Sequence, residues 1–507
     1  MYKTIIVILT LLLLTSCEGW LDVNDNPNSP SEVEFKNVLP SGISSVAYVL
    51  GGRYQVLGAL WSQHWTQSLG ASQYAGIDSY DINSSSFDDN QFGELYAGAL
   101  KAFEYVRQES EKQEEWNYYL IATVMQSYTF QLLVDLYDEI PFSEALAGNS
   151  LTLTPKYEKG QDIYDSLIFR IDKALNKDLD NDELDNPEEF DLLFSGDMDL
   201  WIEFANTLKL KLFIRQSEAR PEVARAGVEQ LYQDEVNFLS TDAMMTQFQN
   251  QSGRRNPLYE TEINVLGGNP NLILSRTLHS FLLENSDFDR LDYMFSTPAS
   301  GGGHKSLVQG NYNDPDEPAG TNSSTYSKPY ILAASPVYLM SLTEACFLQS
   351  EAIIRYNVSD YSEAKDKYDE GLRAAYLRVL AISNMTDEQK LTLIDGFING
   401  PYRFTTEGSP LENFIEQIII QKWVSLAGIQ SLETFFEHNR THYPEESEVL
   451  PENEDYIPGE FTVSVNNVTS GRFPKRLVFP ESEISGNPNT PEPKAVWEKI
   501  WWDIKPD

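Results

Sequence analysis

Residues 343–382 read TEACFLQSEAIIRYNVSDYSEAKDKYDEGLRAAYLRVLAI, and the spacing of their apolar side chains decides the fold class. Ala345, Leu348, Ala352 and Tyr356 recur every three or four positions, the period of one helical face. NVSD at 357–360 breaks that stripe, and Asp360 followed by Glu363 predicts a capping box that starts a second helix. The second stripe is Tyr361, Ala364, Tyr368, Leu372, Ala375 and Val379. Small alanines on both stripes let two antiparallel helices approach closely.

Such a pair is the helix–turn–helix unit of tetratricopeptide-type repeats. No repeat of ~34 residues runs along the chain, so units of this kind are embedded among other segments. Upstream, Ile121, Met125, Tyr128, Leu132 and Leu136 form one stripe, while Leu120, Val124 and Phe130 occupy other faces. A helix apolar all round is a buried helix, so 116–138 is expected deep in the core, ending near Ile140-Pro141. Helical patterns continue from about Phe92. They fail at 70–90, between Ser296 and Pro336 where Gly, Asn, Ser and Pro accumulate, and beyond His442, where RLVFP (476–480) is the best short strand. Long irregular stretches inside a compact domain are usually functional or disordered. Nothing reads as an interdomain linker. The expectation is one mainly α domain with embedded helix pairs and long irregular loops.

The chain opens MYKTIIVILTLLLLTSCEGW. Lys3 precedes an apolar run from Ile5 to Leu14 that covers only about half of a ~30 Å bilayer core at helical rise. The order of basic start, short apolar core and small residues predicts a secretory signal at 1–16. Leu14-Thr15-Ser16-Cys17 reads as a bacterial lipobox, which makes Cys17 the lipidated mature N-terminus. Several acyl chains anchor durably where one does not. Residues 17–35 then form a lipid-anchored tether and 36–507 the binding domain. The balance of 77 acidic against 37 basic residues, a net charge of −40, excludes a phosphate-backbone partner, so no nucleic acid is expected. With Cys17 lipidated, Cys346 is the only thiol left; no intramolecular disulfide can form, and its helical setting predicts a buried, inert side chain.

Catalytic patterns are missing. His438 and His442 lie four apart without a zincin glutamate and read as surface histidines. GGGHKS (301–306) lacks the glycine spacing of a phosphate loop. Asp178, Asp180, Asp182 and Glu189 imitate a calcium loop, but Glu183 stands where the turn needs Gly, so an acidic solvated loop is expected. No enzyme chemistry, metal or cofactor is predicted. The aromatic content, 12%, needs a use, and neutral sugars supply one: their C–H faces stack on rings while their hydroxyls take amide, carboxylate or guanidinium partners. Two loop regions hold that mixture. In the first, Trp61 and Trp65 share a face if helical; Trp61 reads as core, and Trp65 joins Gln73, Tyr74, Asp78 and Tyr80 as ligand candidates. In the second, Arg254, Arg255, Asn256 and Tyr259 precede the long loop carrying Tyr312 and Tyr326. The candidates there are Arg254, Asn256, Tyr259, Tyr312 and Tyr326.

Six segments in order resemble the SusD/RagB family of outer-membrane nutrient-binding lipoproteins: CEGWLDVNDNPNSP (17–30), LYDEIPFSEAL (136–146), SGDMDLWIEFANTLKLKL (195–212), TEACFLQSEA (343–352), QKWVSLAGIQSLETFFEHNRTHYP (421–444) and RLVFPESEISGNPN (476–489) followed by VWEKIWWD (496–503). Asp138 and Phe142 depart from the family's usual Gly and Tyr, and His442 from a usual Gly. The motifs are mostly scaffold: Trp201 and Phe204 share a stripe, and Trp423 follows Ile415 and Ile419. The resemblance implies a helical single domain on the extracellular face of the outer membrane of Bacteroidetes-type bacteria. It implies a non-catalytic protein that captures oligosaccharide and acts as the lid of a TonB-dependent transporter. The same scaffold binding peptides, or a surface-anchored glycan hydrolase, are the alternatives.

Overall fold

Buried apolar stripes turn most of this sequence into packed helices. The computed structural model describes residues 33–146, 153–267, 271–298, 301–313 and 323–506. The predicted signal, Cys17 and nearly all of the tether lie outside them. In the first half, α1 (Leu39–Val49), α2 (Lys101–Gln113), α3 (Trp116–Tyr137), α4 (Gly160–Leu175), α5 (Met198–Arg215) and α6 (Pro221–Gln233) surround one another. The second half contributes α7 (Leu342–Tyr356), α8 (Tyr361–Val379), α9 (Leu411–Ser425) and α10 (Ser431–Thr441). Among the described residues, six short strands make three antiparallel pairs: β1 (Trp65–Gln67) with β5 (Leu272–Leu274), β2 (Glu139–Pro141) with β3 (Tyr157–Lys159), and β4 (Ala243–Met245) with β6 (Val337–Met340).

The central rod is α3, buried on every face from Asn117 to Tyr137 and flanked by α2, α4 and α5. It ends at Asp138, earlier than the proline alone predicts, because Asp138 takes a positive φ of 74°. Its carboxylate holds that corner in place, accepting from Trp501 N at 2.8 Å and from Lys494 Nζ at 3.2 Å. The 343–382 segment folds as the predicted pair: α7 stops at Asn357, with a left-handed φ of 54°, and α8 returns against it. The capping box does not form. Asp360 sits at the N-cap without a side-chain cap bond, and Glu363 instead accepts from the Ser359 hydroxyl. RLVFP is not a strand; Leu477 N donates to Leu136 O, and the neighbouring Lys475 N to Val496 O, so this mostly buried segment is held by irregular backbone bonds.

Where α3, α5, α7, α9 and α10 converge, the core is ionic. Lys211 lies 2.8 Å from Glu344 and 2.7 Å from Glu433, and Arg215 lies 2.8 Å from Glu437 and 3.3 Å from Asp135. Lys422 approaches Glu437 at 3.4 Å, while Arg440 grips Glu351 at 2.7 and 2.8 Å. Burial opposes the charge on Glu433, but Arg215, Lys211 and Lys422 override it and hold the carboxyl down at about 2. Cys346 is buried as expected, and burial raises its thiol pKa.

His438 corrects the surface reading: it is 2% exposed, bonds through Nδ1 to the Pro444 carbonyl at 3.1 Å and stacks near Phe461. His442 is half-buried. No cluster of metal-ligating side chains occurs among the described residues, and none of their helices is long and apolar enough to cross a membrane.

Candidate functional site

The short helix Gln55–Trp61 ends before the second tryptophan, so Trp61 and Trp65 do not share a helical face. Trp61 is core, donating its indole N–H to Ile77 O at 3.0 Å. The chain then reverses through Gln63 (φ 53°) into β1, whose register sets Trp65 opposite Leu274. Trp65 lies at the floor of a cavity of about 720 Å³ between the 329–338 segment, the end of α8 and the 425–429 turn. That volume falls within the ~300–1,000 Å³ of ligand pockets.

Aromatic side chains line much of it. Tyr330 is 49% exposed, Tyr293 half-buried, and Tyr338 buried beneath the Arg378 guanidinium at 5.7 Å. Arg378 is positioned by bonds to Ser425 O at 2.6 Å and Thr343 Oγ1 at 3.3 Å. Among the described residues no carboxylate lies within ion-pair distance of it, although Asp242, which lines the same cavity, favours its charge. Burial lowers its pKa, yet a guanidinium stays charged at neutral pH. Asn256 stands at another wall, its amide donating to Ser335 O at 3.0 Å and its carbonyl capping the Pro257–Tyr259 turn. Leu332, Leu377 and Ile382, each more than 40% exposed, complete an apolar rim.

Trp65 and Asn256, one from each predicted region, therefore meet in one cavity. The other candidates do not. Tyr74 and Tyr80 are each 2% exposed, which corrects the reading of them as open platforms. Tyr74 donates to Glu262 at 3.1 Å under Arg53, and Tyr80 accepts from Ser464 N at 3.2 Å. Asp78 is wholly buried; burial raises its carboxyl to about 6, although Gln67 N at 2.9 Å and Thr66 Oγ1 at 2.8 Å donate to it. It knits the first loop together and cannot reach a ligand. Tyr312 is buried, with Ala75 O 3.5 Å from its hydroxyl, and Tyr326 is buried beside a separate polar cavity. Gln73 and Arg254 are exposed and Tyr259 half-buried, all away from the 720 Å³ cavity. Sequence reasoning missed Tyr293, Tyr330, Tyr338 and Arg378. The one available sign was SKPYILAASPVY (327–338), where two prolines hold a Tyr-bearing segment extended.

The comparisons fit this architecture. Residues 27–462 match the family model SusD-like_2, described as "Starch-binding associating with outer membrane". The chain belongs to that SusD-like family. Its fold is similar to that of a chitin-binding SusD homolog from Flavobacterium johnsoniae (18% identity, 93% of this chain and 99% of that one, TM-score 0.74). A chitin-binding protein matches at 22% identity, 93% and 100% coverage and TM-score 0.72. A SusD/RagB family protein from Bacteroides thetaiotaomicron matches at 23%, 93%, 99% and 0.70. Among curated protein sequences none matches this chain. Proteins of the family are binding proteins without catalysis, which sets the hydrolase alternative aside.

Proposed function

We propose, from its membership of the SusD-like family, that this chain is a surface lipoprotein that binds oligosaccharides. It delivers them to a TonB-dependent transporter, for which it serves as lid. The observation that carries the binding reading is the 720 Å³ cavity, where the exposed Tyr330 and the half-buried Tyr293 and Arg378 stand over a buried base of Trp65 (3% exposed), Tyr338 and Asn256. Rings take the C–H faces of sugars, and the guanidinium and amide suit their hydroxyl edges. The apolar rim favours sugars bearing N-acetyl methyls, so chitooligosaccharides are the first probe, as the two similar chitin-binding proteins also suggest. The same rim supports a second reading, a peptide with aliphatic side chains. The lipid at Cys17 would keep the lid beside its barrel, making closure effectively intramolecular.

The test is a titration of chitooligosaccharides and aliphatic peptides into wild type, Trp65→Ala and Tyr330→Ala. Loss of one stacking ring costs on the order of 1 kcal/mol, a several-fold to tenfold weaker Kd. Tyr330→Ala is the cleaner variant, because Trp65 also packs in the core. Unchanged affinity in both sinks the assignment of this cavity. For the anchor, Cys17→Ala is expected to lose membrane association. A tagged wild-type chain purified in mild detergent is expected to bring a β-barrel transporter with it, and recovery of none counts against the lid.

A further inference from the structure

A second cavity, of about 670 Å³, opens where the start of helix Arg276–Glu284 meets residues 304–308. In a chain with twice as many acids as bases, its lining is basic: Arg276, His279, His304 and Lys305 face one space, with Glu452 as the carboxylate. Arg276 is held rigidly, donating from Nε to Ser306 Oγ at 2.8 Å and from Nη2 to Ser306 O at 3.1 Å. Because Ser306 Oγ accepts there, its proton is directed to His279 Nδ1, 2.7 Å away. Burial, with Arg276 and His304 nearby, lowers the His279 pKa to about 4, so at neutral pH it accepts at Nδ1 and keeps a donor at Nε2. His304 is fixed between Ser327 Oγ at 3.1 Å and Asp292 at 2.8 Å. Among the described residues neither Arg276 nor Lys305 forms an ion pair.

We propose that this cavity is an anion-recognising subsite that takes the carboxylate of an acidic sugar, a uronate unit of an oligosaccharide. The inference rests on the reading of the chain as a glycan binder. Arg276 and Lys305 line the cavity as fixed cations, with Glu452 the lining carboxylate and Asp292 bonded to His304 beside it, a balance that suits a singly charged carboxylate better than a doubly charged phosphate. A fixed guanidinium presents planar donors suited to that group. The cavity is far larger than a bare ion requires and lies within the range of ligand pockets. The segment that supplies Tyr326 to it continues through Ser327, pinned by Leu274 N at 2.9 Å, into the wall of the 720 Å³ cavity. One stretch of backbone thus lines both spaces.

The experiment titrates the folded chain with a uronate trimer and with the same trimer reduced to neutral primary alcohols, at low and moderate salt. The uronate is expected to bind about tenfold tighter at low salt, with the preference shrinking as salt rises. Lys305→Gln, at an exposed position, and Arg276→Gln, checked by circular dichroism, each reduce the preference several-fold. Equal affinity for both trimers overturns the proposal. So does a preference that survives both substitutions, or displacement of the uronate by an equal concentration of inorganic phosphate. If neither trimer binds while chitooligosaccharides do, this subsite fails and the glycan-binding reading stands. If no oligosaccharide of either kind binds, both fail.

Discussion

Gly58 shows how one missing methyl sets a helix crossing. In the middle of helix Gln55–Trp61, alanine would ordinarily gain ~1 kcal/mol over glycine. Here a Cβ would lie 2.1 Å from Leu432 N and 2.4 Å from Leu432 Cα, both backbone atoms of α10. Backbone cannot swing aside, so the helices must separate, and the collision outweighs the propensity gain. Gly58→Ala is expected to destabilise the protein by about 3 kcal/mol, read as a lowered denaturant midpoint; a stabilised variant would refute the close crossing. At this same scale the site was only partly legible. Tyr74 and Tyr80 look like platforms because their loop is polar, yet long-range partners (Glu262, Ser464) fold that loop inward and bury both rings. Trp65 and Asn256 were found because each combines a binding-type side chain with a break in local structure. Arg378 was missed because it sits on a regular helix, and only the packing of α8 aims it at a cavity.

Among the elements, the ionic core joins α3, α5, α7, α9 and α10 by charge where their stripes would otherwise be apolar. Glu437 is shared by Arg215, Arg440 and Lys422, so Glu437→Gln leaves three buried cations undercompensated. It is expected to cost about 3–5 kcal/mol, and the double replacement Glu437→Leu with Arg440→Leu to restore part of that loss. A double variant no better than the single would show that the pair does more than satisfy itself. The same carboxylates set the acid response. Those of Glu433, Glu437 and Glu351 are held below their ordinary values despite burial, because Arg and Lys partners surround them. A depressed folded-state pKa contributes stability that is complete above the unfolded value, ~4.3, and lost as pH falls towards the folded one. For Glu433 that window runs down to about 2. Asp78 works the other way: its folded value of about 6 means that protonation favours the fold as pH drops below that point. The histidines outweigh it: burial holds His64 down at about 3 and His279 and His442 at about 4, so the unfolded chain takes up their protons below ~6.5 while the fold does not. Stability is therefore expected to decline from about pH 6.5 and more steeply below about pH 4.5; denaturant midpoints that hold or rise between about pH 6.5 and 4.5 would contradict the assignment. Helix periodicity made these elements legible, since 3.6-residue stripes are local. The end of α3 at Asp138 and the uncapped start of α8 were not, because tertiary bonds decide both.

At the scale of the whole molecule, the charges divide into two populations that respond to salt in opposite senses. Exposed pairs such as Lys112–Glu109 and Arg225–Glu229 are screened by salt, but each contributes only ~0–1 kcal/mol. The cluster around Arg215 and Arg440 is nearly dry, so added ions reach it poorly. What remains is the net charge of −40, spread over one domain, whose self-repulsion opposes compaction and is relieved by screening. Repulsion should dominate, because the excess acids far outnumber the exposed pairs that salt can weaken. Sodium chloride is expected to raise the unfolding temperature at pH 7, by an amount equivalent to on the order of 1 kcal/mol between about 10 and 300 mM. Chloride is the salt to use, since sulfate strengthens burial by a separate route. In Glu437→Gln the slope with salt should match wild type even though the midpoint is lower, because the deleted charge lies inside. A midpoint that falls with sodium chloride would mean that surface ion pairs, not the apolar and ionic interior, hold the helices together.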